Sequence, residues 1–228
     1  MENKNTILVV ASHPDDEVLG AGATIAKMAK NGDKVFVLLL ADGESSRGGD
    51  DLEQRVAAKK QAGKTAAGIL GVKDIFFETL PDNQFDGIPL LSIVKIIEKH
   101  LMAIKPNIVF THHFGDLNID HRVTFQAVLT ACRPIQGFFV KEILSFEVLS
   151  STEWQAKNTE CPFQPSSYQN VEGFIDKKIE ALAAYQEELR DFPHPRSIEG
   201  VKTLAQYRGM ESGFQFAEAF QIIRKIND

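Results

Sequence analysis

Four short apolar runs, each closed by polar residues and followed by a helical pattern, confine this chain to an α/β fold. The runs are "NTILVVAS" (5–12), "KVFVLLLAD" (34–42), "VKDIFFETL" (72–80) and "PNIVFTHH" (106–113). The first two are rich in branched apolar residues on successive positions, as in strands covered on both faces. Between the runs, "DEVLGAGATIAKMAKNG", the stretch from Leu52 to Leu70 ending at Gly71, and "LLSIVKIIEKHLMAI" carry helical spacing. The βαβαβαβ succession predicts a Rossmann-like, mostly parallel sheet flanked by helices, with right-handed crossovers. Ligands in such sheets bind outside the carboxyl ends of the strands. The residues after "LVVAS", "LLLAD" and "IVFTH" are therefore where a site is expected.

Farther along, a helix near Asp120–Ala131 and a strand in "KEILSFEVLS" follow, and then a loop in "NTECPFQPSSYQN". Two helical stretches surround "FPHPRS", and "FQFAEAFQIIRK" is ambiguous between strand and helix. With no internal repeat or long linker, one α/β domain is expected over 1–228, with 150–228 forming an extension that shapes the substrate site and oligomer contacts. A net charge of -6 gives no footprint for nucleic acid. Lys59, Lys60 and Lys64 are expected on a solvated helix face. Cys132 and Cys161 make no disulfide framework and read as thiols in the core or a loop. No apolar stretch reaches bilayer length, and no signal-type h-region precedes the first strand, so a cytoplasmic location is expected.

The chemistry gathers at two strand ends. After the first run, "SHPDD" places His13 in extended geometry before Pro14, with Asp15 and Asp16 entering a helix where acids suit the dipole. Glu17 reads as capping or support. After the fourth run, "THHFGDLNIDHR" supplies His112, His113, Asp116, Asp120 and His121. The chain has six histidines, and four lie at these two ends. One histidine from the second cluster would complete a His/Asp/His set with an open fourth position, the pattern of a catalytic zinc site. His100, near a helix end, reads as a dipole partner or a solvated residue.

"ASHPDDEVLGAG" together with "DLNIDH" resembles the PIG-L/LmbE-like family of zinc-dependent de-N-acetylases. Members remove acetyl groups from N-acetylglucosamine units in glycosylphosphatidylinositol, mycothiol or bacillithiol precursors and in chitin disaccharides. The resemblance implies His13, Asp16 and His121 as metal ligands and Asp15 as general base. It further implies Asp120 as an orienting carboxylate and Arg55 as a substrate contact. Two positions depart from the pattern. Asn118 stands where some members carry a histidine, leaving it as a substrate-side residue, and Ala58 and Lys59 interrupt an R-x-x-E in the helix. "FPHPRSIEG" resembles the subgroup containing archaeal chitin-disaccharide deacetylases, which implies that His194 stabilises the transition state, in cis or across an oligomer interface. "LPDNQFDG" resembles the family's substrate-side loop, with Asp82 and Asn83 as sugar contacts, although a type I turn explains them equally well. Ser45, Ser46 and Arg47 border the entrance or form a mobile solvated loop. Tyr185 and Leu189 read as core or interface.

The expected function is hydrolysis of the N-acetyl amide of an N-acetylglucosamine-containing sugar or glycoconjugate. The expected cofactor is Zn2+, with another divalent transition metal able to use the same ligands, and a homo-oligomer is expected. The alternatives are a nucleotide-binding module and a non-catalytic metal-binding module. "GAGATIA" is not a G-x-G-x-x-G after the strand, the acids repel phosphate, and no Walker A sequence occurs. A G-x-S-x-G elbow for a serine hydrolase is also missing.

Overall fold

The apolar runs become strands that lie side by side, because each needs cover on both faces. In the computed structural model, which describes residues 4–157 and 161–227, β1 (Thr6–Ala11) pairs in parallel with β2 (Lys34–Ala41) and β4 (Ile108–His112). β3 (Asp74–Leu80) and β5 (Glu142–Phe146) extend the parallel part on either side. β7 (Ala217–Lys225) then pairs antiparallel with β5, and β6 (Ser167–Asn170) antiparallel with β7. Among the described residues the sheet has seven strands in the order β3-β2-β1-β4-β5-β7-β6.

Six α-helices flank the sheet among the described residues. Alternate residues of a strand point to opposite faces. Ile7, Val9 and Ala11 of β1 accordingly share a core with α1 (Asp16–Lys30), α2 (Leu52–Leu70), α5 (Ile175–Ala183) and α6 (Ile198–Ser212). Leu8 and Val10 face α3 (Leu90–Ile104) and α4 (Ile119–Ala131). This two-sided burial explains why the run from Ile7 to Val10 has no polar residue.

The strand order fixes the site. The chain leaves β1 outward to β2 and β3, then returns to β4 on the other side of β1. The crevice at such a switch point is the usual ligand position. The segments following β1 and β4 both open onto it. They are stitched together where the Ser12 amide donates to His112 Nε2 at 2.8 Å and the Ser12 and Thr124 hydroxyls meet at 2.8 Å. Asn118 caps α4 by accepting the Asp120 N–H at 2.8 Å, and Ser197 caps α6 through the Gly200 N–H at 2.9 Å.

α1 is gripped from the far end of the chain. Glu218 of β7 accepts the N–H groups of Ala23 and Thr24 at 3.1 and 2.7 Å, and Lys178 of α5 donates to the Leu19 carbonyl at 2.7 Å. Lys178 and Glu218 are themselves paired at 2.6 Å, both buried. Ion and counter-ion thus enter the middle of a helix together, which limits the penalty for burying either one.

Several expectations change. "FQFAEAFQIIRK" resolves as strand β7, whose first four residues, Ala217 to Phe220, are all buried on its two faces. The end of the expected loop in "NTECPFQPSSYQN" is strand β6, while positions 158–160 lie outside the described residues. Lys59 is buried rather than solvated, because two carboxylates, Glu44 and Glu188, draw its ammonium inward; Lys64 is exposed as expected. His100 is buried against Phe76, with Nε2 2.8 Å from Glu78 Oε1. Ser45–Arg47 forms a short 3-10 turn rather than a free loop: Ser45 Oγ accepts the Asp82 N–H at 2.7 Å and Ser46 Oγ bonds the Asp82 carboxylate. No helix among the described residues is long and apolar enough to cross a membrane.

Gly20 of α1 lies flat against the Phe146 ring, where any Cβ would overlap ring carbons. Gly20→Ala is expected to destabilise the protein by about 1–3 kcal/mol through overpacking. Gly68→Ala, where a Cβ meets nothing within 4 Å, is expected to stabilise α2 by up to about 1 kcal/mol. Urea denaturation midpoints check the opposite signs.

Candidate functional site

Three donor atoms meet at the mouth of the switch point. His13 Nδ1, Asp16 Oδ2 and His121 Nε2 lie 3.0, 3.2 and 3.3 Å apart pairwise. His13 follows β1, Asp16 begins α1, and His121 lies in the first turn of α4 after β4. Two of these elements come from one side of the switch point and one from the other, so the set exists only because β1 and β4 are neighbours.

The outer nitrogens of both rings are held by carboxylates. His13 Nε2 faces Asp120 Oδ2 at 3.1 Å and Asp82 Oδ1 at 3.3 Å. His121 Nδ1 faces Asp116 Oδ1 at 3.3 Å, and Asp116 is itself braced by the hydroxyls of Ser151 and Thr152. Such carboxylates keep the outer ring proton in place and leave the inner nitrogen's lone pair free. Three bare lone pairs at this spacing repel unless a cation lies among them. A tetrahedral zinc with bonds of about 2.0–2.2 Å needs donors roughly 3.3–3.6 Å apart, close to the triangle found. Asp16 Oδ1 is buried with no hydrogen-bond partner among the described residues, a further acceptor with nothing to accept. The donor set therefore fits a divalent metal ion.

Protonation tells the same story. Burial lowers the pKa of His13, but hydrogen bonds to Asp120 and Asp16 outweigh it and raise the imidazole to about 10. For His121, burial is likewise outweighed by the Asp16 charge and the Asp116 bond, giving about 9. Protons are retained where the carboxylates outnumber the cations. Asp16 is buried, which opposes ionisation, yet His121 and His112 hold it well below the usual carboxylate range.

Asp15, between two of the donors' residues, points elsewhere. It is 2% exposed and sits at φ 110°, a backbone state costly for any residue but glycine. Its amide donates to Glu17 Oε2 at 3.0 Å, and Glu17 Oε1 accepts the Tyr185 hydroxyl at 2.7 Å. Its carboxylate takes Arg196 Nη1 at 2.8 Å. Burial pushes the Asp15 carboxyl up to about 7, with Arg196 pulling against it and Asp16 adding to it. Glu17 is raised by burial to about 8. Glu17 thus supports the turn, and Tyr185 is core with a polar tip.

Beside the triangle opens a cavity of about 130 Å3 with mostly polar walls. His13, Asp15, Asp82, Asn83 and Asn118 line it together with Ser46, Arg47, Lys59, Glu188 and Arg196. Asn118 Nδ2 donates to Asn83 Oδ1 at 3.1 Å, joining two of the expected sugar contacts on one wall. Asp120 lies behind His13, its other oxygen accepting the Phe85 N–H at 2.9 Å. Arg55 lies outside the lining, with Nε on Glu44 at 3.1 Å and further bonds to Asp51 and the Gly48 carbonyl. His194 lies against Trp154, ring centroids 5.6 Å apart, and its Nδ1 accepts the Arg196 N–H at 3.1 Å. His112 accepts the Ser12 amide, and burial and His121 keep it neutral. His113 turns away to the Cys161 carbonyl at 3.0 Å.

Four cavity or support residues had no role assigned from the sequence: Asp116, Arg196, Glu44 and Glu188. Asp116 and Arg196 sit inside motifs already singled out, "GDLNIDH" and "FPHPRS", so spacing from His121 and His194 was a usable signal. Glu44 and Glu188 carry none, because only tertiary contact brings them to Lys59.

The sequence profile of the family described as PIG-L, GlcNAc-PI de-N-acetylase, matches residues 8–132. An uncharacterized deacetylase, YaiS, of Escherichia coli K12 is 27% identical over 187 residues, covering 79% of this chain and 90% of its own. The diacetylchitobiose deacetylase of Thermococcus kodakarensis is 25% identical over 239 residues, covering 96% and 84%. Among solved structures, an N,N'-diacetylchitobiose deacetylase from Pyrococcus horikoshii superposes with a TM-score of 0.80 at 20% identity, covering 98% of this chain and 85% of its own. GalB, a 4-carboxy-2-hydroxymuconate hydratase from Pseudomonas putida, superposes with 0.78 at 21% identity, covering 98% of each. At these identities the superpositions speak for the fold, and a shared fold hosts more than one reaction.

Metal must displace protons from His13 and His121, whose pKa values stand above neutrality. Apparent metal affinity is thus expected to fall as pH drops below about 10, where His13 takes up its proton, and more steeply below about 9, where His121 does, with proton release on binding at neutral pH. Asp116→Asn is expected to weaken metal binding about 10–100-fold through His121 alone. Competition with a chromophoric chelator across pH checks both.

Proposed function

The chain belongs to the PIG-L family, and on that premise we propose that it is a metal-dependent hydrolase that removes the acetyl group from an N-acetylglucosamine-containing sugar or glycoconjugate. The observation that carries this reading is the donor triangle of His13, Asp16 and His121 with a buried carboxylate, Asp15, at the wall of the same cavity. Those three residues would hold zinc, which would supply Lewis acidity to acidify water and polarise the acetyl carbonyl; another divalent transition metal would fit the same donors.

The remaining work falls to the chain. Asp15 accepts the proton of the attacking water as its oxygen bonds the acyl carbon, then hands it to the nitrogen as the C–N bond breaks. Acetate and a free amine leave. Arg196 holds the Asp15 carboxylate in place and sets how readily it takes the proton. Asp120 and Asp82 steady His13, and Asp116 steadies His121. Asn118 and Asn83 are positioned to bind sugar hydroxyls from the α4 side of the cavity. Arg55 acts on the substrate side by ordering Glu44 and the 48–51 turn.

Segment 150–228 contributes Glu188 and Arg196 to the cavity, which supports its role as the part that shapes the substrate site. His194 shares the "FPHPRS" loop with Arg196, and we assign it the stabilisation of the oxyanion, in cis or across the interface of a homo-oligomer. The relatives named as deacetylases, one of them acting on diacetylchitobiose, support an acetamido sugar as substrate.

The test is to strip the protein with chelator, restore zinc and measure amine release from a panel of N-acetylated sugars. Activity is expected to return with zinc, and Asp15→Asn to lower kcat about 10²–10⁴-fold at unchanged metal content. Metal-independent activity, full activity of Asp15→Asn, or no amine release from any acetamido sugar overturns the reading. For His194, mixing His194→Ala with Asp15→Asn subunits is expected to restore activity if it acts across the interface, and no recovery despite subunit exchange defeats action across the interface.

A further inference from the structure

Three cations converge in the cavity on one carboxylate. Arg47 Nη2 lies 2.9 Å from Glu188 Oε1, Lys59 Nζ bonds the same oxygen, and Arg196 Nη1 lies 3.5 Å from Oε2. Their other sides are also occupied. Glu44, wholly buried, takes Arg47 Nη1 at 3.4 Å and Lys59 Nζ at 3.1 Å, while Asp15 takes Arg196.

The origin of these groups matters. Arg47 and Lys59 stand on the N-terminal half, on the 3-10 turn and α2. Glu188 arrives from a separate short turn, Gln186–Glu188, more than a hundred residues later. Remove that one side chain and two cations of the wall lose their main partner, in a cavity whose wall also carries the amides of Asn83 and Asn118 and the Ser46 hydroxyl. With Glu188 present, Arg47 and Lys59 are each held between Glu44 and Glu188, and Arg196 between Asp15 and Glu188. An anionic substituent entering this space meets carboxylates and finds its cations engaged; an uncharged sugar meets no such penalty. Glu188 itself stays ionised, since Lys59 and Arg47 outweigh the burial that would raise its pKa.

We propose that Glu188 determines specificity by occupying the anion position that Arg47, Lys59 and Arg196 would otherwise offer, so that the site takes acetamido sugars uncharged near the scissile amide and refuses those bearing a carboxylate or phosphate there. The substrate part of this inference rests on the deacetylase reading; the charge part does not. Rejection here is a built-in repulsion rather than a missing contact.

The experiment has two arms on zinc-loaded protein. In the first, kcat/KM is measured for N-acetylglucosamine, N-acetylglucosamine 6-phosphate and N-acetylmuramic acid with wild type and Glu188→Gln. The ratio of anionic to neutral substrate is expected to rise at least tenfold in Glu188→Gln, and an unchanged ratio overturns the proposal. Differences in substrate bulk cancel in that comparison. In the second, orthophosphate is titrated calorimetrically into wild type, Glu188→Gln and the double variant Glu188→Gln/Arg47→Gln. Phosphate binding at the metal is common to all three. Glu188→Gln is expected to bind at least tenfold tighter than wild type, and the double variant to fall back towards it; equal affinities overturn the proposal. A gain in phosphate binding without deacetylation of any sugar would uphold the charge role and defeat the deacetylase reading. Should Glu188→Gln not fold, Glu188→Asp, which draws the charge back by one methylene, is expected to show a smaller gain of the same sign.

Discussion

Asp16 Oδ2 accepts the His13 amide at 2.9 Å and lies within 3.5 Å of a nitrogen of His13, His121 and His112, with Asp16, His112 and His121 all buried. An ionised carboxylate in such a place is tolerable only when its neighbours are chosen for it. The backbone N–H, two rings whose outer nitrogens face carboxylates, and a third ring kept neutral by burial and by His121 are that choice. Asp120, Asp82 and Asp116 form a second ring of acids whose purpose is to orient the first. The sum is an excess of negative charge around one point, which calls for a cation at its centre.

The C-terminal segment answers a different electrostatic demand. From Asp15 the charges alternate outward through Arg196, Glu188, Lys59 with Arg47, Glu44 and Arg55. Each member is held by partners of opposite sign, so the network is satisfied without solvent even where members are nearly buried. The metal side is short of positive charge, whereas the cavity side is balanced. Two separate charge balances, one around the donor triangle and one along the cavity wall, thus meet at Asp15.

The parallel part of the fold was legible because covered strands and amphipathic helices have distinct periods, and the helix bounds Leu52–Leu70 and Leu90–Ile104 emerged as read. The triangle was legible too, since its members lie in two local motifs at strand ends. Strand β7 was not, because an edge-side antiparallel strand pairs with residues distant in sequence and its alanines mimic a helix. Lys59 and His100 misled for one reason: each is a polar residue on a helix, and only the tertiary arrival of Glu44, Glu188 or Glu78 turns it inward. Arg55 is bonded to Glu44, Asp51 and the Gly48 carbonyl, partners that the spacing of its motif did not announce.

The grip on α1 by Lys178 and Glu218 has a temporal side. His13 and Asp16 are made first, yet the helix that carries Asp16 has its mid-section amides satisfied by a residue some two hundred positions later. At translation rates of about 5–20 residues per second, on the order of ten to forty seconds separate the synthesis of the His13–Asp16 turn from that of its anchor. The helix that carries Asp16 is therefore fully anchored only once β7 has docked on it.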